Sequence, residues 1–516
     1  MFTFDTIATK ALDLMESTEK HIFLTGKAGT GKSTLLMQFI QTTSKNIAVL
    51  APTGVAALNI WWATIHSFFG FPPNVTIAKA KKEAKLNMDD EKFTELDTII
   101  VDEISMVRAD LLDCIHTFLQ AIKKNRKPFG GVQVIMIWDL YQLPPVLRSQ
   151  DQVAFKRLYD SPYFFSSAVV SQANFQMEII ELEKMYRQQE ASFISILNAI
   201  RNKTVDEEHL RLLNKQIKTD IQIEDGMIYL TGKNDSAQAI NDEKLDSLTS
   251  KPSTFTAKVK GDFWEREYPT QKSLVLKPGA QVMFVANDPN GQRVNGTLGK
   301  VKKIIKNKED KMSKVVVDIY DGDTVEVGNH HRKNYSYDFD KKTKKLTADA
   351  VGSFTQVPLK LARAITIHKS QGKTFDKVIV DVSWGIFAHG QTYVALSRCR
   401  SLSGITLTSP VKETHVIVDY RIRSFLTSYQ YAQSDSRMPL ASKIAFITNA
   451  IAEKNDLDMV YLKSTDIKST RTITPIKVGE TIYGEKKFLW MEAICHPHKE
   501  KIIFNVERIL DLKLAG

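Results

Sequence analysis

HIFLTGKAGTGKS, residues 21–33, runs from a short apolar segment directly into Gly26-Lys-Ala-Gly-Thr-Gly-Lys32-Ser33, a complete GxxxxGK[ST] pattern. The glycines let the backbone curl so that its N–H groups, together with the N-terminus of a following helix, face phosphate oxygens. In this pattern Lys32 neutralises charge on the β- and γ-phosphates and the Ser33 hydroxyl holds Mg2+. Strand before and helix after predict a parallel α/β sheet with its ligand at the strand C-termini.

Working outward, IAVLA (47–51), TIIVD (98–102) and VIMIW (134–138) repeat the short apolar run, each bounded by Gly, Pro or an acid. Between them, ADLLDCIHTFLQAIKK puts Leu111, Leu112, Ile115, Phe118, Leu119 and Ile122 on one helical face. Strand–helix alternation implies helices on both faces of a parallel sheet. KVIVDV (377–382) and GITLTSP (404–410) repeat the signature, so two α/β domains are predicted. In TIIVDE, Asp102 ends a strand, placed to reach the metal through water. Glu103 is placed to orient and deprotonate an attacking water.

With 516 residues the chain exceeds a single core, and roughly three to four domains are expected. A net charge of +11 favours a polyanionic partner. Cys114, Cys399 and Cys495 lie far apart in sequence, which argues against a disulfide framework or zinc site. No apolar run reaches the ~18–20 residues that span a bilayer, and MFTFDTIATKALDLMESTEK has no signal-peptide core. A cytoplasmic protein without a membrane partner is expected.

A phosphate loop alone does not name a task. APTGVAA (51–57), TIHSFFGF (64–71), DLYQLPPV (139–146), MYRQ (185–188), AITIHKSQGKTFD (364–376) and YVALSRCRS (393–401) follow in order. Together they resemble the superfamily 1 DNA helicases, most closely the Pif-type, RecD-related branch, over about residues 20–410. The resemblance implies an α/β fold with two RecA-like P-loop domains, 1–180 and 181–427. It further implies a wedge-like insert at 72–92 and, after RVNGTLGKV (293–301), a small β-barrel insert at about 297–352 over the DNA exit path. Residues 428–442 read as a linker. Residues 443–516 resemble a WYL domain, a small α+β or β-barrel fold, through RTITP (471–475), FLWMEAIC (488–495) and FNVERI (504–509). Arg471 and Arg508 match ligand-facing arginines there.

The resemblance also implies roles. Lys32, Asp102, Glu103, Gln142, Arg187 and Arg398 form the catalytic set, with Gln142 sensing the γ-phosphate and the two arginines closing from the second lobe. Gly26, Ala28, Gly29, Thr30, Gly31, Lys32, Ser33, Thr34 and Gly372 bind ATP, and Ser33 with Asp102 binds Mg2+. Thr53, His66, Ser67, Phe68, Asn295, Thr366, His368 and Lys369 contact DNA through backbone phosphates and base faces. The implied activity is ATP-dependent 5′→3′ translocation on single-stranded DNA by a monomer, with unwinding of duplex or structured DNA. The alternative is a nucleotide-dependent DNA-binding protein that hydrolyses weakly, because several positions depart from the family. Trp138 stands where Gly is favoured, Trp61 and Trp62 replace a Gly-Gly-like turn, and Trp384 replaces a smaller or basic residue. Arg332 and Arg363 stand where aromatics are common. No glutamine precedes Gln38, so the adenine-recognising glutamine usual in the family is missing.

Overall fold

The computed structural model describes residues 5–515 apart from 53–62, 148–150, 222, 264, 266–267, 288–294, 306–313, 321, 341, 344, 383–387, 464–467, 484–485 and 497–499. Thr53, Trp61, Trp62 and Trp384 fall outside the described residues. Two compact units divide the chain, Met1–Ile417 and Val418–Gly516.

The first sheet is built from β1 (His21–Gly26), β2 (Ile47–Ala51), β3 (Ala63–Thr64), β4 (Thr98–Asp102), β5 (Gln133–Ile137) and β6 (Met177–Leu182), in spatial order β3-β2-β4-β5-β1-β6. Every pairing is parallel. β1, β4 and β5 are buried at every residue, as expected for strands covered on both faces. Ile22, Leu24, Ile100, Ile135 and Ile137 form the core with Leu35, Leu36 and Phe39 of the helix Lys32–Thr42. This packing fixes the phosphate loop between β1 and that helix.

The 72–92 segment contains no strand. Thr76 caps a helix, Ile77–Leu86, whose only buried residues are Ala80 and Ala84. Small residues on one face let it lie against the helix Ala109–Lys123, while its lysines stay in water.

A second parallel sheet runs Ala364–Thr366, Ile228–Thr231, Val378–Val380, Ile405–Leu407. Between its strands an antiparallel sheet takes the order Thr324–Val327, Lys314–Ile319, Leu298–Ile305, Gln281–Phe284, Leu359–Leu361. Its core of Val282, Phe284, Val301, Val315, Val317, Val327 and Leu359 is wider than the expected 297–352. The flanking strands at 281–284 and 359–361 carry core residues of the same sheet, and sequence spacing alone did not tie them to it. The hairpin His330–Asp340/Lys345–Gln356 pairs with Lys258–Gly261, and the Leu346 N–H donates to Asn46 Oδ1 of the first lobe (3.3 Å).

Unit two holds helices Tyr420–Arg437 and Leu440–Glu453 beside a five-stranded antiparallel sheet. Of the stretch 428–442, expected to be a linker, residues 428–437 and 440–442 are therefore helical. Its polar composition reflects a sparsely buried helix, and Ser434 anchors it by donating to Leu510 O (2.8 Å). Among the described residues, no helix is long and apolar enough to cross a membrane.

Candidate nucleotide cleft and DNA-facing residues

Gly31, left-handed at φ 83°, caps the helix that begins at Lys32. The Lys32 ammonium folds back onto the loop, donating to Gly26 O (2.7 Å) and Lys27 O (2.9 Å). Burial pushes its pKa down to about 8, opposed by the nearby carboxylates Asp139 and Asp102. Asp102 closes β4, and one of its oxygens accepts the Glu103 N–H (2.9 Å). Burial raises Asp102 to about 6. Glu103 rises to about 8, first by burial and then by the Asp102 charge. Glu103 also sits at φ 53°, a strained conformation for a residue with a side chain.

Lys32 lines a cleft of about 570 Å3, whereas the buried Asp102 and Glu103 are not among its lining residues. Ala28, Gly29, Thr30, Gly31, Lys32, Ser33 and Thr34 line one wall, and Gly372, Thr374, Arg398 and Arg400 of the second lobe line the other. Gln142, Trp138, Tyr186 and Arg187 complete it. The expected ATP contacts thus converge, with Gly26 just beneath as an acceptor for Lys32. Arg398 is buried and donates to Val394 O, Ser370 O, Lys373 O and Ser397 Oγ of its own lobe. Burial, with Arg187 adding like charge, lowers its pKa to about 9.

Trp138 is buried, and its backbone is absent from the left-handed residues, so the position does not require glycine. Among the described residues, neither its indole N–H nor the Gln142 Oε1, both buried, has a hydrogen-bond partner.

Three residues outside the expected set join the lobes here. The Ala28 N–H donates to the Tyr393 hydroxyl (3.0 Å), His389 Nε2 lies 2.9 Å from Leu140 O, and Arg201 binds Asp139 (3.0 Å). Tyr393 lay inside a motif already singled out. Arg201 and His389 carried no local signal.

The residues expected at DNA separate into groups. Asn295, Thr366 and Lys369 line a second cavity of about 550 Å3, together with Tyr268, Lys360 and Lys373. Burial lowers Lys360 to about 7 and Lys373 to about 8. Lys373 Nζ donates to Asn295 Oδ1 (2.7 Å). His368 is half-buried next to this group, and burial lowers its pKa. His66 and Ser67 lie on the first lobe in a short helix, Ile65–Phe69, with Ser67 exposed. Phe68 does not offer a base-stacking face. It is 4% exposed and packs edge-on against Phe69 and Phe93, because the Phe-Phe pair closes an aromatic core with Phe118. Arg363 is engaged structurally, donating to Glu224 O (3.0 Å) and pairing with Asp225 (3.6 Å). Arg332 is half-buried on the hairpin.

Oxygen donors such as Ser33 and Asp102 suit Mg2+. Among the described residues no group of three or more His, Cys, Asp or Glu is placed to hold a metal ion.

Comparison with known proteins agrees with this architecture. A family model described as PIF1-like helicase matches residues 3–211. The ATP-dependent DNA helicase Pif1 of Bdellovibrio bacteriovorus is 31% identical over 435 residues, covering 81% of this chain and 91% of the relative. The human ATP-dependent DNA helicase PIF1 is 34% identical over 394 residues, covering 74% of this chain and 57% of that protein. Bacteroides sp Pif1 in complex with ADP-AlF4 superposes with a TM-score of 0.74 at 36% identity, covering 83% of this chain and 98% of that one. With a phosphate loop and second-lobe arginines on one cleft, this chain belongs to the PIF1-like helicase family.

Proposed function

We propose that the chain is an ATP-dependent DNA helicase that moves 5′→3′ on single-stranded DNA as a monomer and separates duplex or structured DNA. The observation that carries this reading is the cleft shared by Lys32 and Ser33 of one lobe with Arg398 and Gly372 of the other. A site split between lobes ties hydrolysis to their closure, and closure is what a translocating motor needs.

In the proposed chemistry, Lys32 leaves the loop carbonyls for the β- and γ-phosphates of ATP. Gln142 Oε1, lacking a partner, accepts from the attacking water, and Glu103 takes its proton as oxygen attacks the γ-phosphorus. The bond to ADP breaks, and Arg187 and Arg398 stabilise charge on the transferring group. Ser33 and Asp102 would hold Mg2+, which supplies charge neutralisation on the phosphates.

Single-stranded DNA is assigned to the lysine-rich cavity around Thr366, Lys369 and Asn295, with His66, Ser67 and His368 beside the path; Thr53 keeps this role on motif grounds. The antiparallel insert with its hairpin is assigned to the exit side, and the helix at 77–86 to the wedge. Unit two is read as a WYL-like regulatory domain. Supporting this, Arg508 Nη1 is buried without a partner among the described residues, and the Arg471 guanidinium lies 5.7 Å from the Phe504 ring centre.

Tailed duplexes test the reading. A 5′-tailed duplex should be unwound and a 3′-tailed one left intact, with phosphate release stimulated by single-stranded DNA and abolished in Lys32→Ala. If neither tail is unwound and DNA gives no stimulation, the helicase reading fails. Tight DNA binding under those conditions would select the weakly hydrolysing alternative.

A further inference from the structure

The turn that carries Gln142 is built on Asp139. The Asp139 carbonyl accepts the Gln142 N–H (3.0 Å), and its carboxylate accepts the Tyr141 N–H (3.2 Å). That same carboxylate, fully buried, takes the guanidinium of Arg201 at 3.0 Å through Nη2 and 3.3 Å through Nε. Arg201 comes from the second lobe, near the end of the helix Ala191–Asn202, which packs against the helix Gln391–Ser397. Its guanidinium carbon also lies 4.1 Å from the Tyr141 ring centre. A buried arginine–carboxylate fork of this kind fixes orientation as well as distance.

The second lobe grips the turn elsewhere too. His389 reaches the Leu140 carbonyl, and Gly390 lies so close that an added Cβ would come 2.5 Å from the carbonyl oxygens of Tyr141 and Gln142. The turn, which continues the first lobe's β5, is therefore also held by the second lobe.

We propose that Arg201 is a positioning residue, which sets the Gln142 amide through Asp139 and so makes hydrolysis depend on how the lobes are docked. This rests on the helicase reading above. Arg201 does not line the cleft, and among the described residues its hydrogen bonds go to Asp139 and Asn202. A structural ion pair alone would, when broken, weaken nucleotide binding, turnover and thermal stability together. A positioning pair separates them.

The test measures DNA-stimulated ATP turnover and the affinity for a fluorescent ADP analogue in the parent, R201Q, D139N and the double variant D139N/R201Q. R201Q should lose turnover by about 10²-fold, as for a misplaced catalytic group, while its ADP affinity stays close to the parent's. D139N, which also removes a charge acting on Lys32, should lose at least as much turnover, and the double variant should lose no more than D139N alone, because both act through one contact. R201K, keeping charge without the fork, should fall between, and it carries the test if R201Q does not fold. Parental turnover in R201Q, multiplicative losses in the double variant, or a parallel fall in ADP affinity would each overturn the proposal. Absence of DNA stimulation in the parent would instead defeat the helicase reading.

Discussion

Gly29, at the apex of the phosphate loop, lies against Arg187: a Cβ built on Gly29 would come 2.5 Å from the Arg187 Cβ. The Tyr186 N–H reinforces the approach by donating to Gly29 O (2.9 Å). Gly29 also has φ 86°, a conformation that costs a residue with a side chain about 1–2 kcal/mol. Gly29→Ala should therefore push the arginine away from the loop. The expected result is a fall in DNA-stimulated phosphate release of about 10²-fold, with a small drop in melting temperature. Parental turnover in this variant would show that the close approach is not needed.

Glu103 and Lys32 together predict a narrow pH optimum. Glu103 titrates at about 8 and serves as a base only when ionised, so kcat/KM should rise towards that pH. Lys32, driven down to about 8 by burial, loses its charge above it, and attraction for phosphate falls. A bell centred near pH 8 is expected for kcat/KM, which reports the free enzyme. The stability effect of Glu103 has the opposite sense. Its raised pKa favours the folded state at low pH, and this contribution is lost as pH rises from 4.5 through 8. A flat profile between pH 6 and 9 would remove Glu103 from the base role.

His21 should make the first lobe acid-sensitive. It accepts the Val134 N–H through Nδ1 (3.1 Å) and stacks on Phe175, and burial lowers its pKa to about 4, aided by His116. A lowered histidine pKa contributes fully above 6.5 and is lost as pH falls towards 4, by about 3 kcal/mol. Urea unfolding at pH 7 and pH 4.5 should show this loss, and His21→Gln should flatten it. Equal pH slopes in the two proteins would count against the assignment.

Trp138→Gly addresses the most conspicuous departure from the family pattern. The indole is buried and the backbone needs no glycine, so the substitution should empty a site rather than relieve strain. A stability loss of about 3–5 kcal/mol is expected from denaturant curves, without any gain in turnover. A marked rise in turnover would mean that Trp138 restrains the enzyme.

Much of the first lobe was legible because its signals are local. IAVLA and TIIVD correspond residue for residue to β2 and β4, and the phosphate loop sits between the strand and helix that its flanks implied. What escaped notice depends on long-range docking. Arg201 meets Asp139 across 62 positions, and His389 meets Leu140 across 249. Neither residue stands out in its own neighbourhood, and only lobe placement pairs them. Phe68 shows the converse error. Its motif suggested a DNA contact, yet whether an aromatic ring faces a base or a core is decided by Phe93 and Phe118, which lie further along the chain. Likewise, the helix through 428–437 lacks a broad apolar stripe, so its polar sequence read as a connector.

The three thiols have a practical consequence for watching this motor move. Cys114, Cys399 and Cys495 are unpaired and essentially inaccessible, and burial lifts Cys114 to about 12 and Cys399 to about 11. At neutral pH the reactive thiolate of these two is scarce. A dye pair attached through cysteines introduced on the surface of each lobe should therefore report opening and closing in otherwise unaltered protein, with no need to delete the native thiols first.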